Sequence, residues 1–183
     1  IITHYPILSC VVGSEMCIRD SFEEICRAGE AHSLKHCGYR AIESLRLEKS
    51  YRAIYRDLDL EHTALESGLE RFIKWEKDDF TGREALLRQR ESGLEQKIVT
   101  LKVETVDADA WMNESVFCDG KLVGRITSGA TSHHIGHCLS MAYVNIDQAT
   151  VGTALEVQVL ERRVPATVIA DSPYDPENQR LRM

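Results

Sequence analysis

Val116-Phe117-Cys118-Asp119-Gly120-Lys121-Leu122-Val123 decides how the second half of this chain folds. Two apolar runs flank Asp119-Gly120. A two-residue Asp-Gly loop is the strongest short-range sign of a β-hairpin, because both of its residues must take positive φ. The same period of two recurs outward from this hairpin. Val99, Leu101 and Val103 alternate with Thr100 and Lys102. Leu139, Met141 and Tyr143 alternate downstream, Leu155, Val157 and Val159 do so again, and Glu161-Arg162 precedes the run Val164 to Ile169. About six short strands with no convincing helix among them predict a small antiparallel barrel or sandwich.

Before Gly93 the apolar spacing is helical instead. Phe22, Ile25, Cys26 and Ala28 predict a turn or two of amphipathic helix ending near His32 to His36. Tyr39 to Leu47 reads as a second helix with Ala41, Ile42 and Leu45 on one face. Tyr51 to Leu60 alternates and reads as extended. Thr81-Gly82-Arg83-Glu84 is a capping-box pattern, a hydroxyl for an orphan N–H with a carboxylate reaching back. The helix it opens carries Ala85, Leu86 and Leu87 and stops near Gly93. The chain is therefore α+β, with a boundary between Ser92 and Gln96.

The 183 residues are 43% hydrophobic and 28% charged, a globular profile. A net charge of −7 argues against a nucleic-acid partner, whose phosphates want a basic face. No apolar run approaches the roughly 18 residues that cross a bilayer, so no membrane partner is expected. Cys10, Cys17, Cys26, Cys37, Cys118 and Cys138 form no C-x-x-C pair and suggest no disulfide framework. Free, mostly buried thiols in a reducing cytoplasm are expected. His133, His134, His137 and Cys138 invite a metal reading. On a loop entering a strand, however, the i, i+4 pair loses the helical geometry that brings two imidazoles to one ion, and no metal is expected.

Residues 1–21, IITHYPILSCVVGSEMCIRDS, differ in texture from the rest. Their apolar core is too short for a membrane span, no basic n-region precedes it and no A-x-A-like cleavage site follows. Glu15-Met16-Cys17-Ile18-Arg19-Asp20-Ser21 back-translates into a string resembling the transposon end used to prepare sequencing libraries. We expect residues 1–21 to be a translated cloning or sequencing scar.

Several stretches resemble one family. Gly38-Tyr39-Arg40-Ala41-Ile42-Glu43-Ser44-Leu45-Arg46-Leu47-Glu48-Lys49 is similar to the G-x-R-A-x-x-S-L-R-L-E-K segment of the flavin-linked dimethylglycine and sarcosine dehydrogenases. The glycine cleavage T-protein has a related segment. Asp57-Leu58-Asp59 with Thr63 and Glu66 resembles that family's D-I-D…T-P-x-E, and Asp79-Phe80-Thr81-Gly82-Arg83-Glu84-Ala85-Leu86 its D-F-x-G-[RK]-E-A-L. Gly124-Arg125-Ile126-Thr127-Ser128-Gly129, then His133 and Gly136, resembles its G-x-V-T-S-G…H-x-x-G. The tail from Tyr174 to Arg182 is similar as well. The likeness is collinear from Phe22 to Met183, and Asn113-Glu114-Ser115 tilts it toward the flavin-linked branch.

The resemblance implies a remnant of an α/β, ferredoxin-like folate-binding domain over residues 22–94 and a six-stranded antiparallel β-barrel over 95–183. It implies tetrahydrofolate as cofactor and, in the whole protein, FAD on a flavin domain. That domain oxidises an N-methyl amine, and the folate captures the one-carbon unit. The family's catalytic aspartate and pterin-binding glutamate match nothing here, so this chain is not expected to turn over substrate alone. Its partners would be folate, the N-methyl amine and the N-terminal domains of the same protein. A stand-alone T-protein or a non-catalytic folate-binding module is the alternative.

Candidate folate contacts are Arg46, Tyr51, Arg40, Glu114 and His133. Arg46 can grip a carboxylate with two prongs, unless Glu43 or Glu48 holds it on the helix surface. Tyr51 could stack on an aromatic ligand or be a core or rim tyrosine. Ile42 is apolar where the T-protein branch has an Arg that meets substrate, so that contact does not carry over. Ala64 stands where the family has proline, Tyr55 and Arg56 where glycine is usual, and His137-Cys138 where it has Lys-Ser.

Overall fold

The computed structural model describes residues 6–105 and 107–182. The chain divides into two compact units between Gly38 and Tyr39. In the first, α1 runs Pro6–Gly29 and gives way to a 3-10 turn at Glu30–His32. Ser33 then takes φ 56 and sends the chain back along the helix end. Leu34 lies so close to Gly29 that any side chain there would collide with it. His36 stacks on Phe22 with ring centroids 5.4 Å apart. The helix expected from Phe22 is thus present, but it is the last part of a 24-residue one. Of the segment expected to be foreign, residues 1–5 lie outside the described residues.

The second unit opens with α2, Tyr39–Glu48. After an irregular stretch with a 3-10 turn at Glu70–Phe72 comes α3, Arg83–Ser92. Six strands follow: β1 Gln96–Val103, β2 Ser115–Cys118, β3 Lys121–Ser132, β4 His137–Asn145, β5 Ala154–Val159 and β6 Arg162–Ile169. They close into a barrel in the order β1-β4-β3-β2-β5-β6, every pair antiparallel. The α+β class and the six-stranded barrel agree with the sequence. The position near residue 94 lies inside this unit.

Two apolar clusters hold it together. Val99, Leu101, Val103, Val116, Ile126, Ala142, Val144, Val157 and Val168 fill the barrel interior. Leu47 of α2 packs outside the barrel on Ile98, Ala130, Leu139, Met141 and Tyr143. β4 is therefore buried on both faces for seven successive residues, Cys138 to Val144. Burying Leu47 completely is worth roughly 1.5–3 kcal/mol. The Asp119-Gly120 hairpin forms as read, with φ 49 and 76 at its two residues.

Four local expectations are corrected. Tyr51 to Leu60 is no strand: Asp57 and Leu58 both donate backbone N–H to the Ala53 carbonyl, folding the segment into a tight turn with one isolated Ile54–Leu58 bridge. The Thr81–Glu84 box does not form, because Gly82 takes the N-cap at φ 90 with no side-chain hydrogen bond. The reciprocal pattern appears instead at Thr63 and Glu66, each side chain accepting from the other's backbone N–H. On α2 the buried residues are Glu43, Ser44, Leu47 and Glu48, while Ile42 and Leu45 are each half exposed. Of the cysteines whose surroundings are described, only Cys138 is buried; Cys37 is exposed and Cys26 and Cys118 lie between.

Candidate functional site

The buried face of α2 is polar because the barrel beneath it offers hydroxyls. Thr127 and Ser128 sit on β3, where the register shifts between Ile126 and Ser128 and two successive side chains reach the same partner. Both donate to the wholly buried Asp57 carboxylate, Ser128 Oγ at 2.7 Å. Ala53 N and Arg46 Nη1 also donate to Asp57, at 2.8 and 2.7 Å. A buried carboxylate survives only with such partners, and here it pins the 51–60 turn, α2 and β3 to one another.

Arg46 joins this node by its whole fork. Nε and Nη2 donate to Glu43 at 3.1 and 2.8 Å, Nη1 to Asp57 and to the Tyr51 carbonyl at 2.9 Å, and Nη2 to Ser128 Oγ at 2.7 Å. A guanidinium has five N–H groups, and this arrangement uses each. Burial alone would pull Arg46 down, but Glu43 and Asp57 outweigh it and hold it above its ordinary value. Burial likewise pushes Glu43 up, and Arg46 with Arg56 more than reverses it. Of the two partners considered for Arg46, Glu43 is the one used.

Glu48 forms a second node, 1% exposed. Its carboxylate accepts from Ser132 Oγ at 2.7 Å, His134 N at 3.2 Å and His134 Nδ1 at 2.8 Å. Burial raises Glu48, and these donors together bring it below its ordinary value. The C-terminal segment crosses here. Tyr174 lies tilted against His134, ring centroids 4.7 Å apart, and donates its N–H to the Glu48 carbonyl, while Lys49 Nζ donates to the Tyr174 carbonyl.

Between α2 and the β3–β4 turn lies a pocket of about 390 Å³, lined by Arg40, Ser44, Leu45, Asp109, Thr131 and His133, with His134 at its side. The expected turn after Thr127-Ser128-Gly129 comes four residues later, at 133–136, because β3 runs on through Ser132. Ser44 Oγ donates to the Thr131 carbonyl and Thr131 Oγ1 to Asp109, closing the floor. Arg40 lies over the Trp111 ring, 4.6 Å from its centroid.

Of the five candidates, Arg40 and His133 therefore share one pocket. Arg46 is spent on the protein. Tyr51 gives Arg46 its carbonyl and leaves its ring half exposed. Glu114 is elsewhere: its carboxylate accepts from Trp111 N at 2.6 Å and Leu160 N at 3.3 Å, tying a loop to the β5–β6 hairpin. The structural roles of Asp57, Glu48 and Ser132 were not among the candidates. Among the described residues, no three His, Cys, Asp or Glu side chains gather where they could hold a metal ion.

Fold and site define an α+β protein in which one helix docks by a polar face on a closed antiparallel barrel. Residues 96–175 match the family profile of the glycine cleavage T-protein C-terminal barrel domain, and residues 12–77 that of the GCVT N-terminal domain. The mitochondrial dimethylglycine dehydrogenase of Rattus norvegicus is 38% identical over 88% of this chain, and 4-methylaminobutanoate oxidase (formaldehyde-forming) of Paenarthrobacter nicotinovorans 34% over 87%. In each case the chain spans 19% of the relative. The aminomethyltransferase of Thermosynechococcus vestitus is 38% identical over 73% of the chain, which covers 36% of that protein. The crystal structure of aminomethyltransferase T from Bartonella henselae shares the fold, with TM-score 0.69 at 23% identity over 74% of this chain and 38% of that one. The chain belongs to the glycine cleavage T-protein family, among aminomethyltransferase and dimethylglycine dehydrogenase relatives.

Proposed function

We propose that this chain is the folate-binding C-terminal part of a flavin-linked N-methyl amine dehydrogenase, whose role is to help pass a one-carbon unit to tetrahydrofolate. The observation that carries the reading is the pocket between α2 and β3, lined by Arg40 and His133, with Arg40 braced on the Trp111 ring. Tetrahydrofolate needs cations for its glutamate carboxylates and flat surfaces for its rings. Arg40, braced on the Trp111 ring, would meet a carboxylate, and His133 would offer its flat ring and its nitrogens at the pocket edge. Arg46 acts one step back, fixing α2 against β3 so that Arg40 and His133 face one space. The folate supplies the nucleophilic nitrogen; the residues of this chain bind and orient.

The names of two relatives, a dimethylglycine dehydrogenase and a methylaminobutanoate oxidase, support an N-methyl amine as the whole protein's substrate. The equal identity to an aminomethyltransferase supports a second reading, a stand-alone T-protein. A glycine-rich dinucleotide-binding fingerprint far upstream of Phe22 would separate the two.

Titrating tetrahydrofolate into the chain, followed by backbone NMR, tests the reading. Weak saturable binding with shifts at Arg40, Thr131 and His133, reduced by Arg40→Ala, is expected. Submicromolar binding, or shifts confined elsewhere, would overturn it. Residues 1–21 we read as foreign to the protein, against a GCVT N-terminal match that begins at residue 12. Amplifying the locus from source DNA decides that, since codons for Glu15–Ser21 in the genome would refute it.

A further inference from the structure

A second crevice, of about 550 Å³, is bordered by α3, the Glu70–Phe72 turn, β1 and β6. Its size falls in the range of small-molecule sites. Leu65, Ile98, Val151 and Ile169 supply apolar wall. Three cations line it as well: Arg52, Arg90 and Lys97.

The charges there do not cancel. Asp171 is already committed, accepting from Arg52 Nη2 at 2.8 Å and from Thr100 Oγ1 at 2.7 Å. Arg52 Nη1 is committed too, to the Ser50 carbonyl at 2.6 Å. Arg90 and Lys97 then stand against the single remaining carboxylate, Glu70. Two lining atoms are buried with no hydrogen-bond partner: Arg52 Nε, a donor, and Gln89 Oε1, an acceptor. A buried polar group left unpaired costs about 1–3 kcal/mol, so a ligand that satisfied both would gain what the free protein forgoes. Arg52 wants a carboxylate oxygen, and Gln89 wants an O–H or N–H.

We propose that this crevice is a second ligand site, binding a small organic acid that carries a hydroxyl or amine donor next to its carboxylate and an apolar tail. The carboxylate lies toward Arg52, Arg90 and Lys97, the neighbouring donor toward Gln89, and the tail along Val151 and Ile169. Arg90 is stacked on Trp75, 4.6 Å from the ring centroid, so a carboxylate that draws Arg90 inward also changes the Trp75 environment.

The probe is 2-hydroxyhexanoate, with 1,2-hexanediol as its uncharged counterpart, titrated into the chain and followed by backbone NMR. Saturable shifts at Gly68, Gly93, Lys97 and Val151 are expected, with the diol at least about tenfold weaker. Arg90→Glu combined with Lys97→Glu changes two exposed side chains, so the fold should hold, checked by an unchanged unfolding midpoint. Affinity for the acid should fall about tenfold or more. Ala170→Trp, at an exposed lining position, should block binding by bulk alone. No saturable shift at these amides up to about 20 mM acid would overturn the proposal. Equal binding of the diol, or undiminished binding by the charge-reversed variant, would do so too. The crevice shares no lining residue with the pocket at Arg40 and His133, so the two readings fail independently.

Discussion

Tyr55 and Arg56 stand where the resemblance puts a glycine, and Tyr55 has the backbone that suits one: φ is 67, the left-handed region. An L side chain held there costs about 1–2 kcal/mol, and glycine gives part of that back as lost chain entropy. The ring is 91% exposed, so removing it forfeits almost no burial. Tyr55→Gly should raise stability by about 0.5–1 kcal/mol, read as a higher urea midpoint with unchanged slope. Glu48 argues in the other direction. Its folded carboxyl sits below the ordinary 4.5, despite burial, because Ser132 and His134 donate to it. Its contribution is therefore complete above the ordinary value and lost as pH falls through the folded one. Urea midpoints should hold from neutral pH down to about 5 and drop below about 4.5, with a shallower drop in Glu48→Gln. Parallel profiles in the two proteins would rule this out. At this scale the sequence was only half readable. The resemblance pointed at Asp57, Thr127 and Ser128, but nothing in a linear pattern says that a carboxylate and hydroxyls 70 residues apart in the chain will meet.

Elements were more legible than their orientation. The hairpin at Asp119-Gly120 and the alternation of Val99, Leu101 and Val103 gave strands facing the barrel interior. The same alternation at Leu139, Met141 and Tyr143 marks the opposite face, since these lie under α2. Period two reports that a face is buried, not which one. α2 misleads for a related reason: its apolar positions Ala41, Ile42 and Leu45 look like a core stripe, yet the barrel takes the stripe of Glu43, Ser44, Leu47 and Glu48, because Ser132 and His134 satisfy Glu48, the Thr131 carbonyl takes Ser44, and Arg46 with Arg56 neutralises Glu43. A direct comparison tests the orientation. Leu47→Ala should cost about 2–5 kcal/mol, since Leu47 is fully enclosed, whereas Ile42→Ala should stay within about 1 kcal/mol. Similar losses in the two variants would mean that α2 is rotated from the orientation described.

At the scale of the molecule, an exposed apolar stripe on α2 requires an explanation. Tyr39 is 66% exposed, Ile42 and Leu45 each 50%, and Ile54 and Leu60 on the following turn are more exposed still. Soluble chains seldom show contiguous apolar patches beyond a few hundred Å², and when they do something covers them. On the proposed reading, the rest of the longer protein is that cover, in keeping with the fifth to two fifths of its relatives that this chain spans. Deprived of it, the chain should cover the patch with itself. Sedimentation velocity at about 100 µM should then show species larger than the monomer, dissociating on dilution. Ile42→Glu with Leu45→Glu places charge at two positions that the fold leaves in water, so it should return the chain to monomer while the unfolding midpoint stays put. If the variant associates as strongly as the parent, the patch is not what joins the copies. If it unfolds more easily, α2 buries those residues after all, and the polar face on the barrel would have to be reassigned with them.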